Sequence, residues 1–90
     1  MSSNALMWEV RAAEGRLDDL LAWIEGNVVA FLGHQQGCRA VDVYRSDADR
    51  AVVIAHFDAE PADLPEPPEE LLARPVHQWP FELVRSHALS

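Results

Sequence analysis

The 90-residue chain has no lysine, a single cysteine and no stretch approaching the ~20 consecutive apolar residues that a membrane-spanning helix needs. Each absence closes off a class of function. Cys38 alone can form no internal disulfide and cannot build a thiolate cage for a metal ion; its position predicts a small residue starting a strand rather than a catalytic thiol. The seven basic residues, all arginine, are scattered among fifteen acidic ones. The formal charge of -8 opposes nucleic acid and anionic lipid, both of which reward clustered cations. No basic start is followed by an apolar run and a small-residue cleavage site, so the chain reads as cytoplasmic. No Gly-rich loop follows a strand and no nucleophile elbow is present, which argues against nucleotide and acyl-transfer chemistry. His34, His56, His77 and His87 lack ligand spacing such as two histidines one helical turn apart, so no metal site is predicted.

What is present is apolar surface. Hydrophobic residues make up 49% of the chain, with three Trp and three Phe. Residues 1–90 make one domain, and a chain of this size folding alone hides only about two thirds of the surface its unfolded form exposes. That is more apolar surface than so thin a core conceals.

The periodicity predicts six elements. "ALMWEVRA" (5–12) alternates as a strand, with Leu6, Trp8, Val10 and Ala12 on one face and Met7, Glu9 and Arg11 on the other. From about Leu17 to Leu32 the spacing of Leu20, Leu21, Ile24, Val28 and Phe31 is helical, and Asp18 and Asp19 suit the positive end of the helix dipole. Gly26 permits a bend there, and Gly33 predicts a left-handed stop. "RAVDVYR" and "RAVVIAHF", joined at "SDAD", predict a hairpin. Its second strand is apolar on both sides: Val53, Ala55 and Phe57 on one, Val52, Ile54 and His56 on the other, as in a strand covered twice. From Asp58 to Glu70, four prolines and six acids predict an extended loop. "PPEELLARP" then predicts a short helix stopping before Pro75, and "FELVRS" a fourth strand.

The order β, α, β, β, α, β predicts an α+β, ferredoxin-like domain whose four-stranded antiparallel sheet has helices on one face only. Leaving the second apolar face in water exceeds what soluble monomers tolerate, whereas stacking it on a second copy covers it by two-fold symmetry. The expected partner is therefore an identical chain.

The join "GCRAVDVYRS", the hairpin "VDVYRSDADRAVVIAHFD" and the closing "HQWPFELV" resemble the dimeric α+β barrel superfamily, in particular small proteins classed with antibiotic biosynthesis monooxygenases. The resemblance covers nearly the whole chain and rests on element order and residue flavour. It implies a homodimer, a small aromatic or polyketide-like ligand, and in some relatives an oxygenation that needs no cofactor; other relatives degrade haem, isomerise or regulate. Such oxygenases place an Asn, often with a Trp, beside the substrate. Here Asn4 and Asn27 are the two asparagines, and neither lies on a predicted strand.

The residues themselves suggest an apolar cleft walled by Trp8, Trp23, Tyr44 and Trp79, with Asn27 one helical turn from Trp23. Each aromatic has a plainer reading as core, and Asn27 one as the edge of the helical stripe. His56 shares a strand face with Val52 and Ile54, where part-burial suits a general base; the alternative is a hydrogen-bonded packing histidine. His77 stands with Gln78 and Trp79 between two prolines, at a cleft mouth or in a stiff lead-in to the last strand. In the enzymatic form implied by the resemblance, His56 or His77 removes a phenolic proton and the anion reacts with oxygen, with no bound cofactor. The competing expectation is a non-catalytic binding or accessory dimer.

Overall fold

The computed structural model describes residues 4–61 and 63–89. Four strands, β1 (Asn4–Arg11), β2 (Cys38–Ser46), β3 (Arg50–Phe57) and β4 (His77–Glu82), form one sheet in the order β2-β3-β1-β4. Every neighbouring pair is antiparallel. With its helical layer on one face this is a small ferredoxin-like α+β fold.

Between β1 and β2, α1 (Leu17–Trp23) runs through a π-helical stretch, Ile24–Val29, into α2 (Ala30–Gly33). Leu20, Ile24, Val28 and Leu32 are buried at four-residue intervals. Four residues overshoot an α-turn of 3.6, and the wider π-turn around Gly26 takes up the excess, keeping the four in one line over the sheet. The bend expected at Gly26 is thus a widening. Gly33 is not the left-handed stop: His34 after it keeps right-handed geometry (φ -99°, ψ -1°). The left-handed position falls at Gly37 (φ 93°), whose carbonyl accepts the Asp58 N–H at 2.8 Å.

The hairpin forms as expected. Ser46 pairs with Arg50 across the three residues 47–49, and Asp49 takes the left-handed third position (φ 57°) usual in three-residue loops. Two expectations are corrected. The helix predicted at "PPEELLARP" shrinks to one 3-10 turn, Glu69–Leu71. The flanking backbone instead joins the end of β1: Ala13 N–H donates to Leu71 O, Ala73 N–H donates to Arg11 O, and Leu72 bridges Ala12. The fourth strand is not "FELVRS" but His77–Glu82. It includes Pro80 because β4 is an edge strand, where a missing N–H costs no ladder bond. Of the loop after β3, Ala62 lies outside the described residues.

The core lies between helix and sheet. Leu6, Trp8, Val10 and Ala12 of the first strand and its extension meet Ala51, Val53, Ala55 and Phe57 of β3 under the helical line, with Leu64 and Leu71 closing the side. Among the described residues no helix is long and apolar enough to cross a membrane.

Candidate functional site

The strand registers order the uncovered sheet face into four rows. Ser46, Arg50 and Arg11 form the row beside the hairpin turn, and Tyr44, Val52, Glu9 and His77 the second. Asp42, Ile54, Met7 and Trp79 form the third row, and Ala40, His56, Ala5 and Phe81 the fourth. The middle is apolar, with Val52, Ile54 and Met7 flanked by Tyr44 (54% exposed) and Trp79 (42%). Beyond β4 the segment continues with Leu83 and Val84 exposed.

Two of these side chains make a dyad. His56 Nε2 lies 3.4 Å from Asp42 Oδ2, on diagonal positions of β3 and β2. A carboxylate at one imidazole nitrogen orients the ring and leaves Nδ1 to meet a substrate proton. His56 also lines a cavity of about 400 Å³, with Asn4, Arg39, Phe81, Leu83 and Val84 among its walls. That volume falls within the roughly 300–1,000 Å³ of small-molecule pockets. Arg39 is held by Asp58, and Asn4 Nδ2 donates to Ala59 O at 3.2 Å. A neighbouring hollow of about 460 Å³ shares Asn4, Phe81 and Glu82 but is otherwise lined by Glu60, Ala59 and two prolines. It has no imidazole, so the His56 cavity is the stronger candidate for chemistry.

The sheet separates the other predicted site residues. Trp8 is sealed in the core at 0% exposure; among the described residues its Nε1 has no hydrogen-bond partner, nor does Oε1 of Gln78, opposite it on β4. Trp23 packs partly buried against the same core, and Asn27 is exposed, its Nδ2 donating to Trp23 O at 2.9 Å. Tyr44, Trp79, His56 and His77 occupy the opposite face. One cleft walled by all four aromatics therefore does not exist within a single chain, because strand alternation sends Trp8 one way and Tyr44 and Trp79 the other. His77 meets Trp79 edge to face, with ring centres 5.6 Å apart and planes at 84°. His56 and His77 sit opposite Ala5 and Glu9, four residues apart along β1, roughly 13 Å at ~3.3 Å per residue. They do not act on one small group.

His56 is half exposed, at the end of the open face. Two further expectations change. Asn27 does not face the sheet, because the buried line runs through Ile24 and Val28 beside it. An asparagine does lie on a strand, for β1 begins at Asn4 and carries it to the cavity. Sequence reasoning missed Asn4, Arg39 and Phe81. Counting outward from the hairpin turn was the signal available for the His56–Asp42 diagonal, although a bulge between Cys38 and Ala40 hides where Arg39 points. Burial pushes the Cys38 thiol up, opposed in part by a backbone hydrogen bond from Ala40.

No family model matches the chain, and no curated protein matches it significantly. Among solved structures it is similar to Rv0793 from Mycobacterium tuberculosis, with a TM-score of 0.73 and 19% identity over 97% of this chain and 100% of that one. It is likewise similar to NE2512, a protein of unknown function from Nitrosomonas europaea, with a TM-score of 0.73 and 15% identity over 100% of this chain and 97% of the other. At these identities the likeness shows a shared fold.

Proposed function

We propose that the chain works in the cytoplasm as a homodimer that binds a small aromatic or polyketide-like molecule in the cavity beside His56. The apolar middle rows of the open face, around Ile54, Met7 and Trp79, are the surface that a second copy covers. The cavity lies at the end of that face, so pairing leaves its mouth at the rim. The observation that carries the reading is the His56–Asp42 dyad, with His56 lining a cavity of ligand size whose walls mix apolar and charged side chains.

The reaction this arrangement suits begins with His56 taking a phenolic proton while Asp42 stabilises the imidazolium. The electron-rich anion passes an electron to molecular oxygen, and the radical pair combines into a carbon–oxygen bond. Loss of water from the resulting peroxide leaves a carbonyl, so one oxygen atom enters the product and the other leaves as water. Arg39 at the cavity wall steadies the anion.

Oxygen uptake by the purified protein with anthrones or hydroquinones tests this reading. Replacing His56 by Ala is expected to lower the rate about 10²–10⁴-fold, the range of a general base. Uptake equal in the wild type and the variant removes the catalytic role.

A second reading is a non-catalytic binding dimer. The packing around Trp8 favours it, because Trp8, Leu20, Ile24 and Val28, all at 0% exposure, fill the space between helix and sheet. A rise in melting temperature with aromatic ligands and no oxygen uptake selects this reading.

A further inference from the structure

The hairpin end of the open face breaks a local rule. Arg11 and Arg50 stand directly opposite each other on neighbouring strands, side by side on the same face. Like charges so placed, with Cβ atoms about 4.5–5.5 Å apart, repel and destabilise a sheet. Arg74 joins them from the segment that runs along the end of β1, where Ala73 N–H donates to Arg11 O. Three of the seven arginines in a chain of charge -8 are thus gathered at one place.

Among the described residues, one carboxylate pairs with them. Glu9, with a side chain 16% exposed, accepts from Arg74 Nη2 at 2.9 Å and lies 3.5 Å from Arg50 Nε. The latter approach is an ion pair and not a hydrogen bond, and the buried Arg50 Nε has no hydrogen-bond partner among the described residues. Arg11 makes no ion pair among the described residues. The local sum is three positive charges against one negative. A site that gathers three cations around one carboxylate, at a cost to the sheet, is complete when a second anion enters.

We propose that Arg11, Arg50 and Arg74 form a binding site for the oxyanion of a small molecule, a carboxylate or a phosphate group. Arg50, whose Nε is turned toward Glu9, offers it the outer edge of its two Nη groups, which matches two oxygens of either group. His77 and Trp79 continue from this point along β4 and give an attached ring something to lie against. The site is six residues from the His56 row along β1 and β3, roughly 20 Å at ~3.3 Å per residue, and does not rest on the reading of that cavity.

The arginine Nε–H signals of the full-length ¹⁵N-labelled chain report binding directly, since there are only seven. Titration with inorganic phosphate, and separately with benzoate, at ionic strength held constant with sodium chloride, is expected to move the Arg50 signal along a saturating curve. Whichever probe has the lower midpoint names the oxyanion. Arg11→Gln is expected to raise the midpoint about tenfold, and Arg50→Lys, which keeps the charge but loses the paired edge, to raise it similarly. Arg16→Gln, whose guanidinium is already paired with Asp19, leaves it unchanged. Glu9→Gln removes the competing carboxylate and is expected to lower the midpoint several-fold, a gain that a purely structural ion network does not give. Shifts that stay linear with concentration, or an unaltered midpoint in Arg11→Gln, overturn the site. So does loss of self-association in Arg11→Gln with no phosphate or benzoate response, which assigns the arginines to carboxylates of a second copy.

Discussion

The two faces of the sheet are built from the same strands in alternation and have opposite fates. Toward the helix, Trp8, Val10, Val53 and Ala55 are at 0–1% exposure, in one core with the line of Leu20, Ile24, Val28 and Leu32. On the other side Met7, Val52 and Ile54 are shielded only by their own neighbours, while Tyr44, Trp79 and Phe81 stand out to 42–54%. Apolar content alone does not distinguish the faces. What differs is that one has its cover in the chain, and the other carries, at its two ends, the groups with chemistry: His56 with Asp42, and the arginines around Glu9.

The sharpest way to break the comparison is to truncate one aromatic on each face. Trp8→Ala opens a hole in the core between helix and sheet and is expected to cost about 3–5 kcal/mol, a large share of the roughly 5–15 kcal/mol available to a domain. Urea denaturation followed by circular dichroism should find it largely unfolded or shifted to a much lower midpoint. Trp79→Ala is expected to leave the monomer folded but to weaken pairing of two copies by about 2 kcal/mol, roughly 30-fold in the dimer dissociation constant measured by sedimentation. If both variants lose stability alike at every protein concentration, the open face is not an association surface.

A third substitution tests the seam where the helical layer hands over to β2. Gly37 is left-handed, and a Cβ there meets the Ala59 Cβ at 3.1 Å. Gly37→Ala is expected to cost about 1–2 kcal/mol for the backbone conformation. The loss should be independent of protein concentration, as expected of strain within one chain and unlike that of Trp79→Ala. A Gly37→Ala protein as stable as wild type means that the turn relaxes freely and does not fix the end of β3.

The covered face was readable from sequence because its signal is strictly local. Leu6, Trp8 and Val10 alternate, the helix switches period, and the Ser46–Asp49 turn sets the register. The reading failed where tertiary pairing overrode local preference. "PPEELLARP" has helical composition, yet Leu72 and Ala73 gain more by pairing with Ala12 and Arg11. "HQWPFE" has a proline that argues against a strand, and only its edge position makes it acceptable. The site suffered most, because a pocket is a statement about which faces coincide. Trp8 and Trp79 are both aromatic strand residues, but position parity on β1 and the unforeseen register of β4 put them on opposite sides. The convergence of Arg11, Arg50 and Arg74 was illegible for the same reason, since 63 positions separate the first from the last.

The smallest expected effect concerns Cys38, which packs against the covered core while standing on the edge strand β2. Burial raises its thiol above the ordinary value, and a backbone hydrogen bond from Ala40 only partly offsets this. The folded chain therefore holds the thiol proton to a higher pH than the unfolded chain does. Below the unfolded-state value, about pH 8.5, both states are protonated and the residue adds no pH dependence. As pH rises from there through the folded value, the unfolded state ionises first and stability falls. The urea midpoint of the wild type should drop slightly more between pH 8 and pH 10 than that of Cys38→Ala, in which this contribution is absent. Iodoacetamide should label Cys38 more slowly than a free cysteine at pH 8, because less thiolate is present. Equal slopes and equal labelling rates mean that the edge of β2 is wet, and that the helical layer protects less of the sheet than the sealed centre around Trp8 suggests.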